Sequence, residues 1–158
     1  SSGQPRRCAS ASGTTSVRRW ICPDCSCALR GDSQSWSSCF KASRQAYAPY
    51  SGIHVGAALL ANDDNIYLGC NVENASYGLT ICAERSAVSA AMQAISDHRD
   101  QMIRAIYIVN NKVPEIPPCG ACRQVIFEFG KGGIVFFDGK KGMKKIQIDK
   151  ILPEAFRL

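Results

Sequence analysis

Two short segments, Cys82-Ala83-Glu84-Arg85 and Pro118-Cys119-Gly120-Ala121-Cys122-Arg123, each stand where a loop passes into a stretch of helical periodicity. A fold that uses them together must bring two helix N-termini, and the thiols they carry, to one place. A helix N-terminus offers unpaired N–H groups and a partial positive charge, which favours the thiolate that a zinc ion requires. In Cys119-x-x-Cys122 the two sulfurs fall on one helical turn, close enough to share an ion, and Cys82 supplies a third ligand. Three thiolates leave the fourth tetrahedral position to water, which separates a catalytic zinc site from a closed structural one. Glu84 follows Cys82 by two residues on the same turn, so its carboxylate lies beside the metal without ligating it and is placed to move protons. A C-x-x-C alone reads as half of a zinc ribbon or as ordinary thiols. A ribbon needs a second close Cys or His pair, and a single Cys followed by Ala-Glu favours the catalytic site instead.

The surrounding periodicities supply the scaffold. Trp36, Phe40 and Ala46 to Tyr47 fall near helical spacing behind a Ser-rich start, predicting a first helix that reaches about Tyr47. Residues 54–61 and 65–69 are apolar or alternating runs joined by Asn62-Asp63-Asp64, the composition of an antiparallel hairpin. Residues 82–97 are Ala-rich with apolar positions at helical spacing and no Gly or Pro, predicting a helix. Residues 103–109 read as a buried strand, 119–129 as a helix ended by Gly130, and 134–137 and 144–148 as two further strands. This order predicts an α/β fold, a three-layer α/β/α arrangement around a five-stranded mixed sheet, with a parallel, right-handed crossover from the third strand to the fourth.

Charge and cysteine usage narrow the function. The chain of 158 residues carries a net charge of +6, and half of it comes from residues 1–35, where five arginines face two aspartates. The remainder is only mildly basic, which argues against a phosphate-tracking surface and so against a nucleic-acid partner. No apolar run reaches the roughly 18 residues of a membrane span, so no membrane role is expected. Nine cysteines, an odd number, with no apolar signal core ahead of them, do not make a secreted disulfide framework. Residues 1–32 are rich in Ser, Arg and Gly and are expected to form a disordered tail, with a transit peptide as one reading of the composition. Cys8, Cys22, Cys25, Cys27 and Cys39 do not show the paired spacing of a second zinc site and read as plain thiols. Residues 33–158 are then the functional domain.

The order Cys-x-Glu followed by Pro-Cys-x-x-Cys is the zinc deaminase signature in its three-cysteine form. The resemblance extends through Tyr47-Ala48-Pro49-Tyr50-Ser51, Val55-Gly56-Ala57-Ala58-Leu59-Leu60, Gly69-Cys70-Asn71-Val72-Glu73-Asn74-Ala75, Pro118 to Gln124 and Leu152-Pro153-Glu154-Ala155-Phe156. Across residues 33–158 the chain resembles the small homotetrameric cytidine deaminases. The resemblance implies one Zn²⁺ per subunit on Cys82, Cys119 and Cys122. It also implies catalysis by Glu84 and hydrolysis of cytidine or deoxycytidine to uridine or deoxyuridine, with release of ammonia, in cytoplasmic pyrimidine salvage. It implies further that Asn71 and Glu73 hold the ribose 3′-hydroxyl, a group that both donates and accepts. Ala75 would contact the base through its backbone, Tyr77 would close the site or pack in the core, and Phe156 would stack from a neighbouring subunit of a homotetramer. Arg85, and with it Arg123, is expected to hydrogen-bond a thiolate and offset the surplus negative charge of three sulfurs.

Ile53 stands where these enzymes usually carry Phe, and His54 where Pro or Gln is common, so the wall of the base pocket differs. A deaminase of a cytosine nucleoside antibiotic such as blasticidin S is the near alternative, although the Asn-x-Glu-Asn-Ala string favours an ordinary sugar. Polynucleotide editing would call for His as the first ligand and a basic, aromatic groove. A non-catalytic zinc-stabilised binding module would leave Glu84 without a purpose.

Overall fold

A computed structural model describes residues 32–96 and 102–156. The tail expected over residues 1–32, with Cys8, Cys22, Cys25 and Cys27, lies outside the described residues, save for Asp32, which opens the first helix. In order the elements are α1 (Asp32–Ser43), β1 (Val55–Ala61), β2 (Ile66–Cys70), α2 (Ala83–Ala94), β3 (Ile103–Asn110), α3 (Gly120–Phe129), β4 (Ile134–Gly139) and β5 (Gly142–Gln147). The five strands form one mixed sheet in the order β2-β1-β3-β4-β5. β1 runs antiparallel to both β2 and β3, β3 is parallel to β4, and β4 turns back into β5.

Alternation along the strands divides the core into two layers. Ala57, Leu59, Ile106, Ile108, Val135 and Phe137 face α2 and α3, while Ala58, Ala105, Tyr107 and Phe136 face α1. β3 is apolar on both sides because it is covered on both sides, and for that reason it reads as a continuous run. Burying each of its isoleucines contributes about 1.5–3 kcal/mol. On the α1 side Tyr107 stacks on Phe136 with ring centroids 4.6 Å apart, and the Cys39 thiol donates to the Tyr107 carbonyl at 3.2 Å. Burial pushes that thiol well above its ordinary range, so Cys39 packs as a small apolar group.

The first helix ends at Ser43 and not near Tyr47. The Tyr47 N–H instead donates to the Asn71 carbonyl at 3.1 Å, and the Tyr47 carbonyl accepts from the Glu73 N–H at 2.8 Å. Pairing with the segment after β2 takes over the backbone groups that a longer helix would have used.

The topology decides where a site can form. β2 and β3 both run antiparallel to β1, so their C-terminal ends lie at the same end of the sheet as the start of β1. The connections leaving β2 and β3 lead to the N-termini of α2 and α3. Two helix N-termini, the segment after β2 and the segment before β1 therefore share one end of the sheet. Gly69 sets the spacing on the β2 side: a Cβ there would stand 2.2 Å from the Ala83 carbonyl oxygen and 2.3 Å from the Ala87 nitrogen. Only glycine lets the first turn of α2 lie this close to the strand.

Candidate active site

Cys82 and Cys119 occupy the N-cap positions of α2 and α3, both in extended backbone conformation, with no side-chain hydrogen bond capping either helix. Their sulfurs lie 3.8 Å apart, and the buried Cys122 sulfur completes a triangle whose members are all within 4.8 Å of one another. Among the described residues this is the one cluster of three or more metal-ligating side chains. Three sulfurs at this distance repel if all are ionised. The Cys122 thiol donates to Cys82, which with the Arg85 guanidinium brings the Cys82 thiol down to about 5, while Cys122 is held well above its ordinary range by the same contact. A soft dication does what that shared proton does, and serves all three sulfurs at once. The donor set, its spacing and its place at two helix N-termini fit one zinc ion.

Glu84 lies in the first turn of α2 and is buried to 5% exposure. Burial, with the Cys82 charge as a lesser contribution, pushes its carboxyl up to about 7, near the value at which a group both takes and gives protons at neutral pH. Arg85 donates from Nη2 to the Thr80 carbonyl at 2.8 Å and to the Cys82 sulfur at 3.8 Å. Arg123 donates from Nε to the Pro118 carbonyl at 2.8 Å and from Nη1 to the Ile151 carbonyl at 3.4 Å. It thus braces the turn that presents Cys119, and its bonds go to backbone oxygens where the sequence suggested a sulfur.

The residues expected around the sugar gather at the same end of the sheet. Asn71 is buried, and its amide bridges the strand entry, with Oδ1 accepting from the Val55 N–H and Nδ2 donating to the Ile53 carbonyl, both at 2.8 Å. Glu73 accepts from the Tyr50 and Ser51 N–H groups at 2.8 and 3.2 Å and from the Ser51 hydroxyl. These donors, the hydroxyl foremost, hold its carboxyl below the usual carboxylate range. Ala75 is exposed beside a turn in which Asn74 Oδ1 accepts from the Ser76 N–H at 2.8 Å. Tyr77 is 77% exposed, which removes the core role, and its ring meets Tyr50 edge-on at 6.1 Å. Phe156 is exposed, and its carbonyl accepts from Gln124 at 3.3 Å, which ties the chain end to α3.

Sequence reasoning overlooked Ser51, Asn111 and Lys112. Ser51 stands inside a string whose resemblance was noted but whose role was not assigned. Asn111 and Lys112 sit in a polar connection with no periodicity, and only their contacts across the fold mark them.

A three-layer α/β/α fold that presents three thiols and a buried carboxyl raised toward neutrality at one end of its sheet defines a hydrolytic zinc enzyme. The family model described as "Cytidine and deoxycytidylate deaminase zinc-binding region" matches residues 29–138. A cytidine deaminase of Sporosarcina psychrophila is 47% identical over 118 residues, covering 73% of this chain and 84% of its own. The crystal structure of cytidine deaminase from Burkholderia pseudomallei superposes with a TM-score of 0.71 at 42% identity, covering 78% of this chain and 98% of that one. A blasticidin-S deaminase of Bacillus cereus is more distant, 24% identical over 104 residues, covering 63% of this chain and 74% of its own. The chain belongs to the cytidine deaminase family of zinc-dependent hydrolases.

Proposed function

We propose that this chain hydrolyses cytidine and deoxycytidine to uridine and deoxyuridine, releasing ammonia, as a step of pyrimidine salvage. The observation that carries the reading is Glu84, a buried carboxyl next to three converging thiols. Zinc, held by Cys82, Cys119 and Cys122, would act as a Lewis acid that lowers the pKa of water. The rest falls to the protein's own groups. Glu84 takes a proton from water as the oxygen adds to C4 of the base, and delivers that proton to N3. It then takes the remaining hydroxyl proton and passes it to the 4-amino group. The C4–N4 bond breaks, ammonia departs, and a carbonyl is left at C4. A carboxyl held near neutrality by burial suits both transfers. Arg85 steadies the charge on Cys82, and Arg123 holds the turn in front of Cys119.

Glu73 meets the 3′-hydroxyl of the sugar, and Asn71 holds the strand entry against which the nucleoside lies. Ala75 offers its backbone to the base, with Tyr77 and Phe156 forming the outer wall. Tyr47, Val72 and Ile81 are joined by bridges and expose their side chains, and Tyr77 and Leu79 are more exposed still. That apolar rim suits coverage by further copies in a homotetramer, with Phe156 of one copy reaching the site of another. No helix among the described residues is long and apolar enough to cross a membrane. The enzyme is assigned to the cytoplasm, with residues 33–158 as its catalytic domain. Turnover is tested by ultraviolet absorbance with cytidine, deoxycytidine and blasticidin S, with bound zinc measured on the same sample. The nucleosides should be consumed in preference to the antibiotic. Zinc-loaded protein that releases ammonia from none of them overturns the reading, and sedimentation velocity tests the tetramer.

A further inference from the structure

Residues 50–55, which enter β1 at the active-site end, are tied down by two separate elements. From the segment after β2, Glu73 binds the Tyr50 and Ser51 N–H groups and the Ser51 hydroxyl, and Asn71 binds Ile53 and Val55. From the β3–α3 connection, Lys112 Nζ donates to the Ser51 carbonyl at 2.9 Å. Asn111 Oδ1 accepts from the His54 N–H at 2.8 Å, its Nδ2 donates to the Gly52 carbonyl at 3.4 Å, and its own N–H donates to the His54 carbonyl at 3.2 Å. Ser51 is the meeting point: its N–H and hydroxyl go to Glu73, its hydroxyl also accepts from the Ile53 N–H at 3.0 Å, and its carbonyl goes to Lys112. Gly52 turns the chain immediately afterwards with φ +65, which only a residue without Cβ adopts freely.

The second anchor is itself made rigid. Asn110 Oδ1 accepts from the Lys112 and Val113 N–H groups at 2.9 and 2.7 Å, and its Nδ2 donates to the Val113 carbonyl at 3.0 Å. This closed turn fixes Asn111 and Lys112 against the end of β3. The geometry points to Asn111 and Lys112 as positioning residues for nucleoside binding: by holding the backbone of residues 51–54, they set the Ser51 groups that aim the Glu73 carboxylate. This assignment rests on Glu73 meeting the sugar.

Steady-state kinetics with cytidine on the zinc-loaded enzyme test it. Lys112→Met keeps the aliphatic stem but removes the donor, and should raise KM about three- to tenfold with kcat within about twofold of the parent, because the loss falls on binding and not on proton transfer. Lys112→Arg restores a donor and should return KM toward the parent value. Asn111→Ala should shift KM in the same sense and speed hydrogen exchange at the His54 amide, which loses its acceptor. Glu73→Gln should raise KM, and adding Lys112→Met to it should change KM little further, since the two act through the same serine. A KM rise in Glu73→Gln with no rise in Lys112→Met, or rises that multiply in the double variant, overturns the positioning role alone. An unchanged KM in Glu73→Gln overturns the sugar contact and the positioning role with it.

Discussion

The two halves of this active site are held by different physics. The metal half stands on the first turns of α2 and α3, and Ala83, Ala87, Cys122 and Ile126 of those helices are sunk in the main core. The other half, proposed to hold the sugar, is a set of connecting segments in which Glu73, Asn71, Asn111 and Lys112 hydrogen-bond to residues 50–55, most of these bonds lying at exposed positions. Proton transfer needs atoms fixed against a packed scaffold, whereas recognition can be adjusted in connections without disturbing the chemistry. The halves meet where β1 begins and β2 ends.

Removal of zinc breaks the metal half outright. A strong chelator should abolish turnover and lower the unfolding temperature, because the thiolates then lose the ion that offsets their repulsion, and re-addition of zinc should restore both. Activity that persists in metal-free protein would contradict the site.

Glu84→Gln separates the ligands from the acid–base group. The amide fills the same space but cannot relay a proton, so kcat should fall about 10²–10⁴-fold while zinc content stays unchanged. Metal analysis alongside kinetics decides it, and substantial residual kcat would remove Glu84 from its role.

Gly69→Ala acts on the scaffold beneath the metal half. The new methyl group meets α2 backbone and not a flexible side chain, so the helix must move, and stability should drop by about 1–3 kcal/mol in urea denaturation. Because Cys82 and Glu84 ride on that turn, zinc affinity should fall with it. A variant stable but metal-poor would show the strand–helix spacing serving the site more than the fold.

The smallest effect is expected at Asp138, which accepts from the Asn110 N–H behind the turn that carries Asn111 and Lys112. Burial raises its carboxyl above the ordinary range, and the Asn110 N–H at 3.5 Å only partly compensates. A raised folded-state pKa means that the stabilising effect of the neutral form is complete below the unfolded pKa and is lost as pH rises through the folded one. Asp138→Asn should therefore gain stability relative to the parent as pH climbs out of the carboxylate range, and denaturation at pH 4 and pH 7 gives the comparison. A gap that is constant with pH would mean the carboxylate is solvated.

Much of the scaffold and the metal half can be read without coordinates. The hairpin, the buried third strand and the helices behind Cys82 and Cys119 follow from periodicity, which a local stretch of chain carries in itself. Cys-x-x-Cys on one turn and Glu84 two residues after Cys82 are likewise local spacings, and the chemistry of zinc requires their convergence. The first helix was legible only in part, since its end depends on Tyr47 pairing with Asn71 and Glu73.

Tertiary structure alone decided what depends on contacts between distant residues. It buries Glu84 deeply enough to move its carboxyl near neutrality, a property of what surrounds the group and not of the Cys-Ala-Glu string. It exposes Tyr77, directs Arg123 to backbone carbonyls, and commits the Asn71 amide to the strand entry. It also brings Asn111 and Lys112 onto residues 51–54, about sixty positions earlier in the chain. Periodicity and spacing record what neighbours along the chain do together. Burial and cross-chain hydrogen bonds exist only once the sheet has brought remote segments to the same end.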